Sequence, residues 1–367
     1  MPGTAILFTQ QTIGLGARKT SMIFLAEAYR DLGYDVHVVT CQLSRLTRLK
    51  KPNKLEALPA DRLNRWYDAD GMHGFIWVAP VHPATLHPAV DGIAGPLLAK
   101  AYAASMPRDI RDRVAAAELV VVESCAAIAL FDRIRRIAPR ATSVYSMSDR
   151  LLPVGMHPVL QTILERDARH YSVVRTPARA MLADLPGANA VHIRHGLDKA
   201  LFAGEHPSPF ASGPNAVLVG DMMLDRTLLG SLVAAHPGVA FHYFGRTALE
   251  VGDHPNLIEH GEVPFAALVP YLAHADVGLS LYRQVDDLDY LAESSLKNIQ
   301  YEYCGLPIVA PYFVAQGAAR VHGYTPGDPA SASSALTAAL AAPRGRLGEA
   351  DVADWREVAE AILAAAC

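Results

Sequence analysis

The segment "DVGLSLYRQVDDLDYLAESSLKNIQYEYCGLPIVAP", residues 276–311, holds the pattern that decides the fold. It begins and ends with apolar runs of strand length. Between these runs, over about 293–304, three apolar residues recur at the spacing of a core-facing helix, and they are Leu296, Ile299 and Tyr303. Gly305 ends the helix, and the second apolar run follows directly. The order strand–helix–strand predicts a βαβ unit of a parallel sheet.

The rest of the chain repeats this alternation of apolar runs and amphipathic segments. The predicted strands are AILFT, DVHVVT, GFIWVAP, LVVVES, TSVYSMS, YSVVRT and AVHIRHG, followed by NAVLVG, VAFHYFG, DVGLSLYR and LPIVAP. Such alternation predicts an α/β protein with two doubly wound, Rossmann-like domains. A segment rich in Pro, Gly and Ser, 202–215, separates the halves. We therefore expect domains at 1–200 and 201–345, and a helix within 346–367 that packs back on the first domain.

Composition and charge exclude several classes of protein. The 367 residues are 51% hydrophobic and 19% charged, which is typical of a globular chain, and the net charge of −4 argues against nucleic acid as the partner. The four cysteines are scattered and show neither disulfide nor metal spacing. The N-terminal residues lack the pattern of a signal peptide, and no apolar run has the length of a membrane span. These features predict a cytoplasmic location.

The glycine-rich loop "TIGLGARKTS", 12–21, resembles a nucleotide-binding loop but departs from both common fingerprints. Lys19 stands where a dinucleotide signature needs its third glycine, and Arg18 stands where a P-loop needs glycine. The sequence therefore supports neither an NAD-binding site nor a P-loop. Two interpretations stay open for this segment: a ligand-facing loop with Arg18 and Lys19 beside the ligand, or a plain tight turn.

The start of the 293–304 helix is the better candidate for a phosphate site. Ser294 and Ser295 place hydroxyls and backbone N–H groups at the helix start, and Lys297 adds a positive charge within the same turn. A pyrophosphate is the expected occupant. Tyr282 closes the preceding strand, where its ring is expected to line or stack on a base. The alternative is an ordinary serine cap with an exposed lysine.

These elements together resemble a known enzyme family. The strand, the acidic and hydroxyl-rich helix start and the G-x-P-[IV]-x-A pattern resemble the donor half of GT-B glycosyltransferases, and "HIRHGLD" (192–198) resembles the segment that joins their two domains. The chain as a whole resembles the GumK-like, xanthan-type glucuronosyltransferases, most strongly from about 190 to 328. The segments that carry this resemblance are VVVES, VYSMSD, HGLD, VGDMMLD, HGEV, YLAESSLKNIQYEYCGLP and GYTPG.

The resemblance implies a fold and a reaction. Its GT-B fold would have two Rossmann-like domains facing an interdomain cleft. The reaction would be an inverting transfer, without metal or cofactor, of a sugar from a UDP-sugar to a polyprenyl-diphosphate-linked oligosaccharide. The sugar would be glucuronic acid, and the pathway exopolysaccharide biosynthesis. Such enzymes are peripheral proteins on the cytoplasmic face of the inner membrane.

The resemblance also assigns roles to single residues. Asp149 falls on the general base, and its place after an apolar strand suits that role. The positions implied to hold the donor nucleotide are Met222, Glu262, Tyr282, Ser294, Ser295, Lys297 and Gln300. Leu296 and Asn298 depart from the family pattern, and "QQTIGLGARK" is less polar and less arginine-rich than the corresponding acceptor-side loop. The donor site is therefore the closer match.

A basic, amphipathic segment predicts contact with a membrane. In "CQLSRLTRLKKPNK", 41–54, three leucines recur at helical spacing beside a stripe of basic residues. That pattern fits docking on anionic lipid, although an exposed loop is an alternative. The residues expected at the acceptor or membrane are Arg18, Lys19, Arg45, Arg48, Lys50 and Lys51.

Three rival functions remain at the level of the sequence. A GT-B-fold sugar-nucleotide epimerase or hydrolase would act without an acceptor. A non-catalytic nucleotide-sugar-binding protein would not need Asp149. A two-domain solute-binding protein is disfavoured by the N-terminal sequence, which does not resemble a signal peptide.

Overall fold

The computed structural model describes residues 3–15, 19–50, 52–85, 88–284, 286–315, 320–348 and 351–367. The chain divides into two compact units. The first comprises residues 1–15, 20–194 and 355–367, and the second comprises residues 16–19 and 195–354.

The first unit is built on an eight-stranded sheet in the order β3-β4-β2-β1-β5-β6-β7-β8. Its strands are β1 (Thr4–Thr9), β2 (Asp35–Ser44), β3 (Trp66–Ala69), β4 (Met72–Ala79), β5 (Ala117–Glu123), β6 (Thr142–Ser146), β7 (Val173–Thr176) and β8 (Ala190–His192). Its helices are α1 (Ser21–Asp31), α2 (Arg45–Lys50), α3 (Pro52–Glu56), α4 (Pro88–Ala104), α5 (Arg108–Ala116), α6 (Phe131–Ile137), α7 (Pro158–Asp167) and α14 (Trp355–Ala365). Among the described strands of this sheet, every pairing is parallel except β3 with β4.

The second unit is built on a six-stranded parallel sheet in the order β11-β10-β9-β12-β13-β14. Its strands are β9 (Asn215–Val219), β10 (Ala240–Phe244), β11 (Leu257–Glu259), β12 (Val277–Leu279), β13 (Ile308–Pro311) and β14 (Val321–Tyr324). Its helices are α8 (Arg226–Ala235), α9 (Phe265–His274), α10 (Leu291–Ser294), α11 (Leu296–Tyr303), α12 (Tyr312–Ala315) and α13 (Pro329–Ala341). The two parallel sheets confirm the α/β class expected from the alternating pattern.

Both sheets are wound outward from their first strand, and this winding positions the candidate sites. In the first unit β1 lies between β2 and β5, and in the second unit β9 lies between β10 and β12. Ligands of such sheets bind where the winding reverses, at the carboxyl ends of the strands. The buried, β-branched sequence "LVVVE" explains why β5 is an interior strand.

The helix α14 follows the second unit in sequence but belongs to the first unit. It packs on α1, where the rings of Trp355 and Phe24 stack with centroids 5.5 Å apart. Val358 and Ile362 lie on the buried side of α14, one and two turns further along. The first unit is thus completed by a discontinuous segment of the chain.

Several elements differ from the sequence-based expectations. Leu43 was expected on a basic helix over 41–54, but it lies in β2 and is buried, and α2 begins only at Arg45. The hairpin of β3 and β4 was not predicted, although its turn is an Asp70-Gly71 pair with positive φ at both residues. The strands β11 and β14 were also missed, because runs of three or four residues carry little periodicity.

Candidate active site

The helix α11 is fixed to the sheet of the second unit by Tyr301. This side chain is fully buried, and its hydroxyl lies 3.2 Å from the carbonyl oxygen of Val217 and 3.3 Å from that of Leu279. The same hydroxyl accepts the backbone N–H of Val219 at 3.2 Å. Gly278 makes the close approach possible, because a Cβ there would lie 2.5 Å from the Tyr301 ring. The helix α11 is therefore held against the sheet near the carboxyl ends of β9 and β12.

The end of α11 has the geometry predicted from Gly305. Gly305 has a φ of +67° and donates to the carbonyl of Glu302 at 3.0 Å, while Leu306 donates to the carbonyl of Tyr301 at 3.0 Å. These two bonds form a Schellman motif. The predicted helix end is confirmed, and the chain then enters the buried strand β13.

The sequence predicted that Ser294 and Ser295 present open hydroxyls at the helix start. The structure contradicts this prediction. Ser294 ends the short helix α10, and Ser295 adopts an extended conformation at the N-cap of α11. Both residues are buried, with exposed fractions of 7% and 8%. The Ser295 hydroxyl makes no capping bond to α11 and instead pairs with the Tyr282 hydroxyl at 2.9 Å. The helix start is thus left without a side-chain cap from Ser295.

Tyr282 is a support for this helix start and not an open surface for a base. It lies beyond the end of β12, is 1% exposed, and its carbonyl oxygen accepts the Tyr324 hydroxyl at 3.4 Å. The ammonium of Lys297 lies over its ring, 4.3 Å from the centroid. Tyr282 therefore holds Ser295 through its hydroxyl and Lys297 through its ring.

The loop that carries Met222 lies beside Tyr282. Leu224 and Tyr282 form an antiparallel bridge, and Arg283 donates to the carbonyl of Met223 at 2.8 Å. Met222 itself is 41% exposed, which excludes a core role for it. The structure thus brings the loops of Met222, Tyr282, Ser295 and Lys297 together at one edge of the sheet.

Gln300 and Glu262 differ in burial and in their distance from Lys297. Gln300 is buried in α11, and its Oε1 atom has no hydrogen-bond partner within the described part of the chain. Glu262 is exposed and follows β11, which is two strands away from β9 in the sheet. That separation is about 10 Å across the sheet. Glu262 therefore shares the carboxyl edge but not the immediate surroundings of Lys297.

Asp149 lies at the carboxyl edge of the first unit. It follows β6 and is partly exposed, and its backbone N–H donates to the Ser124 hydroxyl at 3.4 Å. That hydroxyl also pairs with the Tyr145 hydroxyl at 3.0 Å. The loop of Asp149 is thus tied to the end of β5. This is the place where the sequence predicted a catalytic carboxylate.

Glu123 is a second carboxyl group at this edge, and no sequence argument had singled it out. It is buried at the end of β5 and accepts the Thr9 hydroxyl at 2.5 Å and the Gln10 N–H at 3.1 Å. Burial raises the pKa of Glu123 to about 7, and the charge of Asp149 adds to the rise. The available signal was its place at the end of the apolar run "LVVVE".

Comparison with known proteins decides the family. Residues 7–177 match the family model for "Glucuronosyltransferase GumK, N-terminal domain". The chain is 31% identical over 352 residues to the UDP-glucuronate:glycolipid 2-beta-glucuronosyltransferase of Xanthomonas campestris pv. campestris, covering 90% of this chain and 85% of that protein. This chain belongs to the GumK family of glucuronosyltransferases. It is therefore a glycosyltransferase, as the sequence patterns predicted.

The folds of several solved structures resemble the fold of this GumK-family chain. The sucrose-phosphate synthase of Thermosynechococcus elongatus superposes with a TM-score of 0.65 at 14% identity, over 99% of this chain and 96% of that chain. A glycosyltransferase involved in avilamycin A biosynthesis gives 0.54 at 14% identity, over 99% and 97%. The predicted GT-B fold is confirmed.

Only some of the residues predicted to contact the acceptor or the membrane lie within the described part of this GumK-family chain. Arg18 and Lys51 lie outside the described residues, as do the side chains of Arg48 and Lys50. Arg45 is exposed at the start of α2. Lys19 is exposed near Asp198, whose pKa is raised by burial, a rise that the Lys19 charge opposes.

Proposed function

We propose that this glycosyltransferase moves glucuronic acid from UDP-glucuronate to a polyprenyl-diphosphate-linked oligosaccharide in exopolysaccharide biosynthesis. The observation that carries the proposal is the 31% identity, over 90% of the chain, to an enzyme named for UDP-glucuronate and a glycolipid. A sugar-nucleotide epimerase or hydrolase and a non-catalytic binding protein are the weaker alternatives.

The start of α11 supports a diphosphate-binding role. A helix start carries unsatisfied N–H groups and a partial positive charge, and both favour a phosphate. Lys297 adds a full positive charge, held over the Tyr282 ring at 4.3 Å. In other transferases a metal ion neutralises the diphosphate. We propose that Lys297 and the helix start do so here, so transfer should persist in the presence of a chelator. Met222, Gln300 and Glu262 would contact the remaining donor, with Glu262 accepting from ribose hydroxyls.

Asp149 is proposed as the general base of an inverting transfer. Its carboxylate would take the proton of the acceptor hydroxyl as that oxygen attacks the anomeric carbon and UDP leaves. A single displacement gives a product of opposite anomeric configuration. The partly exposed position of Asp149 at a strand end supports this role, because a base has to reach an external substrate.

The first unit also offers a surface suited to a membrane. Val90, Ile93 and Leu97 lie along one side of α4 and are 47%, 77% and 64% exposed. The opposite side of α4 packs on α7, where a Cβ on Gly95 would lie 2.3 Å from His157. An apolar helix face in a unit that also carries the basic α2 fits adsorption to anionic lipid. None of the helices in the described ranges has the length and hydropathy of a membrane span.

Turnover with a lipid-linked acceptor and a panel of UDP-sugars tests the proposal. We expect a glycolipid product with UDP-glucuronate, of opposite anomeric configuration, also in the presence of a chelator. Asp149→Asn should lower turnover by about 10²–10⁴-fold without changing donor affinity. Asp109→Asn, an exposed residue of α5, is the matched control. Conversion of the sugar nucleotide without acceptor would favour the epimerase or hydrolase, and binding without turnover would favour the non-catalytic protein.

Vesicle sedimentation tests the membrane surface separately. Ile93→Glu with Leu97→Glu should reduce binding to anionic vesicles, since two apolar contacts become charged. Arg45→Gln should cost about 1 kcal/mol of adsorption. Leu347→Glu, an equally apolar residue of the second unit that is 46% exposed, should leave sedimentation unchanged. Equal binding of all variants would exclude α4 as the docking surface.

A further inference from the structure

A group of histidine and aspartate residues lies at the edge of the first sheet, outside the candidate active site. Asp35 and His37 lie on the same face of β2, two residues apart. His73 of β4 is the register partner of His37, and Asp68 of β3 is the register partner of His73. Three adjacent strands thus bring four potential ligands or ligand partners into one row.

The contacts in this group converge on the Asp35 carboxylate. The Nε2 atom of His37 lies 3.0 Å from Asp35 Oδ2, and the Nε2 atom of His73 lies 3.2 Å from Asp35 Oδ1. The ligand-type atoms of these three residues all lie within 4.8 Å of one another. In a tetrahedral site the ligand atoms of one zinc ion lie about 3.3–3.6 Å apart, so side-chain movements of about 1 Å would close the group around the ion.

The neighbours of the two imidazoles fix which nitrogen faces the centre of the group. Asp68 Oδ1 lies 2.6 Å from His73 Nδ1, so the carboxylate holds that N–H and directs Nε2 toward Asp35. A carboxylate behind a ligand histidine is the usual outer partner of a zinc ligand. The His37 side chain is fully buried, stacked on His73 at 4.7 Å and edge-on to Trp66 at 5.1 Å. Its Nδ1 atom has no partner among the described residues, so its polar contacts are made at Nε2.

We propose that Asp35, His37 and His73 bind one divalent metal ion of the zinc class, with water as the fourth ligand. Two imidazole nitrogens and one carboxylate oxygen suit Zn²⁺ better than Mg²⁺ or Ca²⁺, which prefer oxygen ligands. Asp68 acts as a positioning residue through His73. Each Nε2 atom must bring a lone pair to the metal, so the bound imidazoles carry their N–H on Nδ1, which in His73 faces Asp68.

The charges around the site favour a dication. Asp35 and Asp68 bring two carboxylates to the group, and Arg113 of α5 brings one guanidinium, which lies 5.9 Å from the Trp66 ring centre. The guanidinium weakens cation binding, so its removal should strengthen it. Replacing Arg113 should therefore change the metal affinity in the opposite direction to replacing a ligand residue.

The place of the site indicates a structural role. Asp35, His37 and His73 lie at or near the starts of β2 and β4, whereas Asp149 follows the carboxyl end of β6. In a parallel sheet these are opposite edges. The metal would join the β3–β4 hairpin to β2, and it should raise stability without taking part in transfer.

Metal titration of the full, untagged, chelator-treated protein tests the site. We expect one equivalent of Co²⁺ to give visible d–d bands, and Zn²⁺ to displace it and raise Tm. His73→Gln and Asp35→Asn alter side chains that are 40% and 52% exposed, so both variants should fold, and they should weaken Zn²⁺ binding by more than about 100-fold. Asp68→Asn should weaken binding by about 10–100-fold, and Arg113→Gln should strengthen it.

His170→Gln, at an exposed histidine outside the group, is the matched control and should leave the bands and the affinity unchanged. No d–d bands in the parent protein would overturn the proposal and leave a hydrogen-bonded Asp–His group. Bands that persist in both His73→Gln and Asp35→Asn would place the metal elsewhere and also overturn it.

Discussion

The ammonium group of Lys297 lies over the ring of Tyr282, 4.3 Å from its centroid, while the hydroxyl of the same tyrosine pairs with Ser295 at 2.9 Å. One buried side chain therefore positions both the cation and the N-cap residue at the start of α11. The ring contact is a cation–π interaction, worth about 0.5–2 kcal/mol depending on solvent exposure. If the start of α11 binds the donor phosphate, as proposed, Tyr282 would act on it through Lys297 and not by stacking on a base.

Variants of Tyr282 separate its two contacts. Tyr282→Phe keeps the ring beneath Lys297, so UDP affinity should be nearly unchanged, and the lost hydroxyl pair should cost about 1 kcal/mol of folding free energy. Tyr282→Leu removes the ring, and UDP affinity should weaken by about 0.5–2 kcal/mol. Calorimetric titration with UDP and urea unfolding measure the two effects. Equal UDP affinity in the Leu and Phe variants would contradict the ring's role.

Lys297→Ala tests the diphosphate contact directly. UDP affinity should weaken by about 1.5–3 kcal/mol, the range for a hydrogen bond to a charged group, while uridine affinity stays the same. If Lys297 also contacts the donor carboxylate, UDP-glucuronate should lose more affinity than UDP-glucose. Uridine serves as the internal control. Unchanged UDP affinity would exclude the start of α11 as the phosphate site.

The sequence predicted the end of α11 well because that signal is local. The sequence predicted from Gly305 where α11 ends, but it also predicted open hydroxyls on Ser294 and Ser295, which are buried. It could not predict that Ser295 would turn inward to Tyr282, because that contact depends on tertiary packing. Tyr301, fully buried, was likewise hidden, since its partner is a glycine in another element.

Asn298 shows a related limit of sequence reasoning. It departs from the apolar residue that the family pattern favours, and it is buried. Its Oδ1 accepts the hydroxyl of Ser280, which is also buried. The polar substitution is thus matched by a polar partner 18 positions earlier in the chain. Only the tertiary structure reveals that pairing.

Glu123→Gln should change the pH dependence of stability. The folded-state pKa of Glu123 is raised from 4.5 to about 7, so the native protein binds more protons than the unfolded chain between these values. Stability of the parent protein therefore falls as pH rises through this window. The Glu123→Gln variant has a neutral side chain and avoids that loss. Its free energy of unfolding should exceed that of the parent by up to about 3 kcal/mol at pH 8 and by under about 1 kcal/mol at pH 5.

Urea unfolding at the two pH values measures this difference. Glu118→Gln changes an exposed carboxyl of the same strand and should show no comparable gain at pH 8. A Glu123→Gln gain that is equal at pH 5 and pH 8 would mean that Glu123 is charged in the native protein at both.

Gly278→Ala should destabilise the packing of α11 on the sheet. The added Cβ would lie 2.5 Å from the ring of Tyr301, whose hydroxyl bonds at 3.2 and 3.3 Å prevent the ring from moving away. Overpacking of this kind typically costs about 1–3 kcal/mol. We expect lower stability in urea and weaker UDP binding. Gly238→Ala, where a Cβ meets nothing within 4 Å, should affect neither measurement.

The return of α14 to the first unit has a consequence for synthesis on the ribosome. Residues 195–354 are translated after residues 20–194 and before α14, the last helix of the first unit. At elongation rates of about 5–20 residues per second this interval is roughly 10–30 s. During that time the side of α1 that α14 later covers is open to solvent and available to chaperones. A nascent chain stalled before Trp355 should therefore be captured by a hydrophobic holdase, and release should coincide with the emergence of α14.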